Sequence, residues 1–470
     1  MSQKHFLWGA ATAAHQVEGD NFHSDWWAWE HAGHVEGGVR SGKASGHRER
    51  FREDIKLAAD LGLNSYRFSV EWARIEPKEG LWDLSALEWY RDLISECERQ
   101  GVMPMLTLHH FTSPQWFTAQ GGFTWSEAPH RFRSFVLKVI EALGPRIPLW
   151  CTINEPMVLI AGGYLSNKMP PGLASTRSAA IANLNLFQCH VDAYRLIHSQ
   201  VTERLGPWKE IPIQVGFAHN MVDFCPDRNW NPLDQVMASV LHRFYNQAWL
   251  EAATGRGQNF GVLGVIPNPG VVESALGRAT VDFIGVNYYT KSYVKGRVPN
   301  PLDPSSVPIE LSFAKGAEPR SDVGWAIHPD GLGRVLRLAG SYQFPIYITE
   351  NGIADDSDEL RQDYYRAHLM EVGKVVQQDH LNIRGYYCWS LLDNFEWDKG
   401  FWPRFGLYRV DYDTFERIPT RAAEYLKRAI RAHRELSAPH PIPELLQHLT
   451  SGQFSESLLE EFRVRFAKAK

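Results

Sequence analysis

The chain has 470 residues, 44% hydrophobic and 22% charged, and its 49 Lys and Arg stand against 54 Asp and Glu for a formal net charge of −5. That is ordinary globular composition with ample material for a large core. A mildly acidic chain without a basic block also argues against nucleic acid or an anionic membrane as partner. Cys97, Cys151, Cys189, Cys225 and Cys388 are widely spaced, odd in number and free of any C-x-x-C pair, so neither a disulfide framework nor a zinc knuckle is expected. The N-terminus, MSQKHFLWGAATAAHQVEG, carries an apolar stretch too short to span a bilayer and lacks the shape of a secretory signal. A reducing, cytoplasmic setting is the expectation. With 17 Trp, 17 Tyr and 24 Phe, the chain is rich in rings that suit sugar faces but serve a core equally well.

Short apolar runs over residues 6–10, 63–68, 103–108, 149–153, 211–217, 283–286, 346–349 and 385–389 read as strands. Between them, amphipathic patterns over 47–61, 85–100, 128–143, 179–204 and 360–378 read as helices. Strands alternating with helices predict a parallel sheet, and eight such units in one chain predict an α/β fold, a single (β/α)₈ TIM barrel over residues 1–434 with extended βα loops. Residues 297–324, rich in Pro and Ser, read as a long loop after the sixth strand. Residues 435–470 pass from Pro439, Pro441 and Pro443 into short stripes, the second carrying Leu458, Leu459, Phe462 and Phe466. This C-terminal helical extension is expected to dock on its own barrel, with an oligomer contact as the alternative.

Chemistry in such barrels sits at the C-terminal ends of strands. Those ends supply His15, Gln16 and Glu18, then Arg67, His109 and His110, and Asn154 with Glu155. They continue with Asn287, Tyr288 and Tyr289, then Glu350 with Asn351, and Trp389 with Ser390. Two glutamates in strand-end contexts, TINEP and ITENG, each beside an Asn, are the pair that glycosidic-bond cleavage requires, one carboxyl on each side of the anomeric carbon. The adjacent His109 and His110 could suggest a metal, but neighbours on a strand point to opposite faces, so one is expected at the mouth and the other toward the helices. Gly255 and Gly257 follow a helical pattern and read as a loop rather than a nucleotide cradle. No metal-ligand spacing appears, and this chemistry needs no cofactor.

From residue 6 to about 432 the chain resembles glycoside hydrolase family 1, the β-glucosidase/β-galactosidase family. The resemblance rests on FLWGAATAAHQVEG, YRFSVEWARIEP, TLHHFTSP, WCTINEP, DFIGVNYYT, YITENG and WSLLDNFEWDKGFWPRFGLYRVDY. It implies a retaining, exo-acting hydrolase of terminal β-D-glucosyl, galactosyl or fucosyl groups from a small β-glycoside or oligosaccharide. Glu155 would be the acid/base and Glu350 the nucleophile, with Asn154 on the sugar 2-hydroxyl. Arg67, Asn287 and Tyr289 would support the nucleophile. Gln16, His110, Glu396 and Trp397 would grip the other hydroxyls, Trp389 would floor the ring, and Trp325 and Phe405 would line the aglycone side. The chain departs from the family's usual Tyr-His-Trp-Asp at His109, His110, Phe111 and Thr112, which alters the wall beside the glycone. Family members acting on 6-phosphorylated sugars carry Ser and Lys where Glu396 stands, and a carboxylate repels a phosphate dianion. Two other functions compete with hydrolysis: transglycosylation through the same intermediate, and sugar binding without catalysis.

Overall fold

The structure, a computed structural model, describes residues 6–262, 265–297, 309–436 and 441. Eight parallel strands close into a barrel: β1 (Leu7–Ala11), β2 (Ser65–Ser69), β3 (Met103–His109), β4 (Leu149–Asn154), β5 (Gln214–Asn220), β6 (Phe283–Tyr288), β7 (Ile346–Asn351) and β8 (Ile383–Trp389). Each strand pairs with its sequence neighbours, and β8 closes on β1. The helices that follow the strands are α1 (His47–Asp60), α2 (Leu84–Gln100), α3 (Ala128–Leu143), α4 (Thr176–Gln200), α5 (Pro232–Leu241), α6 (Pro329–Gly340), α7 (Arg361–Asp379) and α8 (Arg421–Glu435).

The two-residue period of the strands divides the apolar residues into two layers. Leu7, Met105, Leu149, Phe283, Tyr347 and Tyr387 fill the barrel, while Trp8, Phe68, Leu106, Trp150, Ile284 and Ile348 pack outward against the helices. Each such fully buried large side chain contributes ~1.5–3 kcal/mol. The helices present matching stripes, as α2 does with Leu87, Tyr90, Leu93, Ile94 and Cys97. That helix is started by the Asp83 carboxylate, which accepts from Ser85 N and Ala86 N, and stopped by Gly101 at φ +69°. Trp8 Nε1 lies 3.2 Å from His433 Nδ1, so the first strand is tied to the last helix. The glycine of ITENG is required by close approach: a Cβ on Gly352 would lie 2.0 Å from the Trp389 carbonyl oxygen.

Two local irregularities matter for the site. On β4 the pairing with β5 advances from Cys151 to Asn154 while the partner advances only from Gly216 to Ala218. On β7 it advances from Ile348 to Glu350 while β6 advances only from Val286 to Asn287. Each is one extra residue, a β-bulge, and each breaks the alternation just before a glutamate.

The expected loop over 297–324 is corrected in part. Ile309–Ser312 is a strand, antiparallel to Lys291–Gly296, which itself pairs in parallel with Asp223–Pro226. The stretch 298–308 and nearly all of the C-terminal extension lie outside the described residues. Gly255, at φ +76°, follows the helix Ala248–Ala253 in a loop, as expected. Among the described residues no helix is long and apolar enough to cross a membrane.

Candidate active site

A cavity of about 450 Å³ opens at the C-terminal ends of the strands. Glu155, Glu350, Glu396, His110, Tyr289, Trp389, Trp397, Trp325 and Phe405 all line it. Four further predicted residues stand directly behind, joined to the lining by hydrogen bonds: Gln16, Arg67, Asn154 and Asn287.

Glu350 stands at the end of β7, turned to the mouth by the bulge. Arg67 Nη1 donates to its Oε1 and Tyr289 Oη to its Oε2, both at 2.5 Å. Arg67 is wholly buried and spends its other donors on Asn154 Oδ1 (2.7 Å), Thr107 Oγ1 (3.1 Å), the Thr349 carbonyl (3.3 Å) and Cys151 Sγ (3.8 Å). A guanidinium so held is a fixed charge aimed at one carboxylate. Glu155 follows the β4 bulge in a left-handed conformation, φ +46°. Its Oε1 accepts from Asn287 Nδ2 at 2.7 Å and Asn220 Nδ2 at 3.3 Å.

The environments of the two acids differ in one respect that decides their charge. Burial raises both carboxyls, since a charged form loses its water. For Glu155 the nearby negative charge of Glu350 adds to burial and lifts it to about 8. For Glu350 burial is opposed by Arg67, Tyr289 and Asn287, although it stays above the ordinary glutamate value. Among the described residues only Glu350 has a cation in contact, so of the two Glu155 keeps the proton at neutral pH. Glu396 is the third buried acid. Burial, then the charges of Glu350 and Asp398, raise it to about 8, and Gln16 Nε2 donates to its Oε2 at 3.2 Å.

Asn154 Oδ1 accepts from Arg67 and from Asn287 Nδ2 (3.1 Å), so its Nδ2 faces His110 Nε2 at 3.1 Å as donor. His110 is neutral, held well below its ordinary pKa by burial and then by Arg67. Its Nε2 accepts, so the ring proton sits on Nδ1, which has no partner among the described residues. Trp389 and Trp397 flank His110 with ring centroids at 5.9 and 6.1 Å. Tyr289, Trp325, Phe405 and Phe313 form an aromatic wall with centroid separations of 5.6 to 6.4 Å. Val158, Met169, Met221 and Val222 are apolar residues of the same lining.

Several strand-end candidates are not part of the cavity. His15 faces Glu30 at 3.7 Å, and Glu18 accepts from Tyr90 Oη at 2.8 Å beside Arg74. His109 turns to Ser113 Oγ (3.1 Å) and the Phe123 ring, while His110 faces the mouth, as strand alternation predicts for the pair. Asn351 is carried outward by the same bulge that turns Glu350 in. It donates to the Tyr288 carbonyl at 2.6 Å and Tyr364 Oη at 2.9 Å, so the parallel drawn between the two Glu–Asn pairs fails. At the departing segment, Phe111 lines the cavity and Thr112 donates to Glu71 at 2.8 Å. Trp26, Asn220 and Tyr245 line the cavity without having been singled out in the sequence.

Residues 2–435 match the model of a family described as Glycosyl hydrolase family 1. Among solved structures, a beta-glycosidase from Pyrococcus horikoshii is 37% identical, with 97% of this chain and 98% of that chain covered at a TM-score of 0.82. A beta-glucosidase from Thermotoga maritima in complex with glucoimidazole is 30% identical over 91% of this chain and 97% of that one, with a TM-score of 0.81. A beta-galactosidase from Pyrococcus woesei is 29% identical, covering 92% of this chain and 97% of the relative.

Proposed function

The chain belongs to glycosyl hydrolase family 1, and on that premise we propose that it removes terminal non-reducing β-D-glucosyl groups, or their galactosyl or fucosyl relatives, from small β-glycosides. The reaction is a double displacement with Glu350 as nucleophile and Glu155 as acid/base. The observation that carries this reading is the asymmetry of two buried carboxyls at one cavity. Arg67 and Tyr289 donate to one and oppose the effect of its burial, and the other is lifted to about 8.

Glu350 attacks the anomeric carbon while Glu155 gives its proton to the departing aglycone oxygen. Once Glu350 is esterified its charge is gone, so the second cause of the raised Glu155 value disappears, its pKa falls and Glu155 stays ionised as the carboxylate that serves as base. It then takes a proton from water, which attacks the anomeric carbon and frees Glu350, with net retention. In this reading Asn154 binds the sugar 2-hydroxyl, His110, Gln16 and Glu396 bind the others, and Trp389 covers the ring face.

The apolar lining by Val158, Met169, Met221, Val222 and Phe313, with Trp325, supports an apolar aglycone. The bound glucoimidazole of the Thermotoga relative supports glucose as one accepted glycone. Cysteines present as thiols, four of them buried, support a reducing cytoplasmic location. The deciding experiment is a panel of aryl β-glycosides on wild type and Glu350→Gly, with and without azide. Loss of turnover in the variant, and azide rescue to a glycosyl azide of inverted configuration, are the expected results. A variant as active as wild type overturns the mechanism.

A further inference from the structure

The two amides that donate to Glu155 are held very differently. Asn287 cannot turn: its Oδ1 accepts from Thr349 Oγ1 at 2.6 Å, and its Nδ2 also reaches Asn154 Oδ1 at 3.1 Å. Among the described residues the Asn220 side chain has one orienting contact besides Glu155, donation from Tyr245 Oη to its Oδ1 at 2.9 Å. A carbonyl oxygen only accepts, so the phenol is the donor, and Nδ2 is left facing Glu155. Burial, then the charge of Glu155, push the Tyr245 phenol well above its usual range, so it keeps its proton throughout the working pH range.

Tyr245 lies in a π-helical turn, His242–Gln247, between α5 and the helix Ala248–Ala253. Such single turns recur at functional sites because the extra residue re-aims a side chain. The next residue latches the turn to the segment carrying Asn220. Asn246 Nδ2 donates to the Val222 carbonyl at 2.8 Å, its Oδ1 accepts from Val222 N at 3.1 Å, and its carbonyl oxygen lies 3.1 Å from His219 Nε2. Asn220 is thus clamped on both sides, and the Tyr245 ring is braced edge-on by Phe224 with centroids at 5.7 Å.

We propose that Tyr245 is a positioning residue for Glu155: by fixing the Asn220 amide with its nitrogen toward Glu155, it favours the carboxylate form needed when Glu155 acts as base. The proposal rests on the assignment of Glu155 as acid/base. Without the phenol the amide is free to turn over and present Oδ1, which accepts from a protonated carboxyl and so favours the opposite form. The other titratable and charged groups facing Glu155 are Glu350, Arg67, Tyr289 and Glu396, and all remain in a Tyr245 variant.

In a double displacement kcat/KM requires protonated Glu155, so its alkaline limb reports that group, whereas hydrolysis of the intermediate requires the carboxylate. Tyr245→Phe is expected to move the alkaline limb of kcat/KM upward by about half to one pH unit. It should also lower kcat roughly three- to tenfold for an aryl glycoside limited by hydrolysis of the intermediate, with azide restoring kcat. For a 2,4-dinitrophenyl glycoside, whose leaving group needs no proton, kcat/KM should stay within about twofold. Asn220→Ala should shift the limb in the same direction, and adding Tyr245→Phe to it should add nothing. A limb that coincides with wild type in Tyr245→Phe, or shifts that add in the double variant, overturns the proposal. A wild type that turns over no aryl glycoside overturns the hydrolase reading and this proposal with it. An active wild type with an unmoved limb in the variant overturns this proposal alone.

Discussion

Deleting a single hydroxyl, in Tyr289→Phe, tests how the proposed nucleophile, Glu350, is kept ionisable. The phenol donates to Glu350 Oε2 at 2.5 Å, and the ring is otherwise packed against Trp325 and Phe405, contacts that phenylalanine keeps. A hydrogen bond to a buried charged group contributes about 1.5–3 kcal/mol. Because the bond is made to the carboxylate, its loss raises the Glu350 pKa, and that energy corresponds to about one to two pH units. In the proposed mechanism hydrolysis requires ionised Glu350, so the acid limb of kcat/KM should move upward by that amount, while the alkaline limb, assigned there to Glu155, stays in place. The assay is a pH–rate profile on one aryl β-glycoside, with unfolding curves confirming an intact fold. An acid limb within 0.3 units of wild type, a margin of roughly 0.4 kcal/mol, would show that Tyr289 does not set the charge of Glu350. A limb that moves downward would invert the electrostatic argument outright.

Trp325→Ala removes apolar contact from the proposed aglycone side, and at ~0.8 kcal/mol per buried CH₂ the loss of cover for one or two methylenes amounts to about 1–1.5 kcal/mol, roughly tenfold. That loss should appear in kcat/KM for octyl or aryl glycosides and be much smaller for a methyl glycoside; equal losses for both would move Trp325 out of the aglycone site. Arg417→Met breaks a buried pair in which Nε and Nη2 reach the two oxygens of Asp54 at 2.7 and 3.0 Å, and it should cost about 3–5 kcal/mol in urea unfolding at pH 7. Burial acts to raise the Asp54 carboxyl, but His47 and Arg417 outweigh it and its pKa is lowered. Its contribution is therefore present above the ordinary aspartate pKa and lost as pH falls through the folded value, so the gap between wild type and variant should narrow below about pH 4. A gap independent of pH would rule out the charge pair as its cause.

Strand and helix order was readable along the chain because apolar spacing and helix stops are local. The residue blocks over 103–108, 128–143 and 149–153 match β3, α3 and β4 to within a residue. The fifth strand shows the limit of such reading. Its apolar run over 211–217 ends three residues short of the strand's end at Asn220, so Asn220 carries no strand-end signal in the sequence. Tyr245 and Trp26 carry no strand-end signal at all, since they reach the cavity from helical segments. The strand Ile309–Ser312 reads as loop in the sequence because its partner, Lys291–Gly296, is what makes it a strand.

By itself the sequence determined the alternating barrel architecture, the two glutamates and most of the groups around them, because these lie in short motifs whose chemistry is legible residue by residue. Tertiary structure alone decided which way those groups face. Strict alternation along β7 gives Glu350 and Asn351 opposite faces without saying which is which, and the extra residue before each glutamate reverses the count. Only the pairing of β4 with β5 and of β7 with β6 places those bulges. The unequal environments of the two acids were decided in the same way. Burial acts on both, but the Arg67 guanidinium, brought across from β2, touches only one of them.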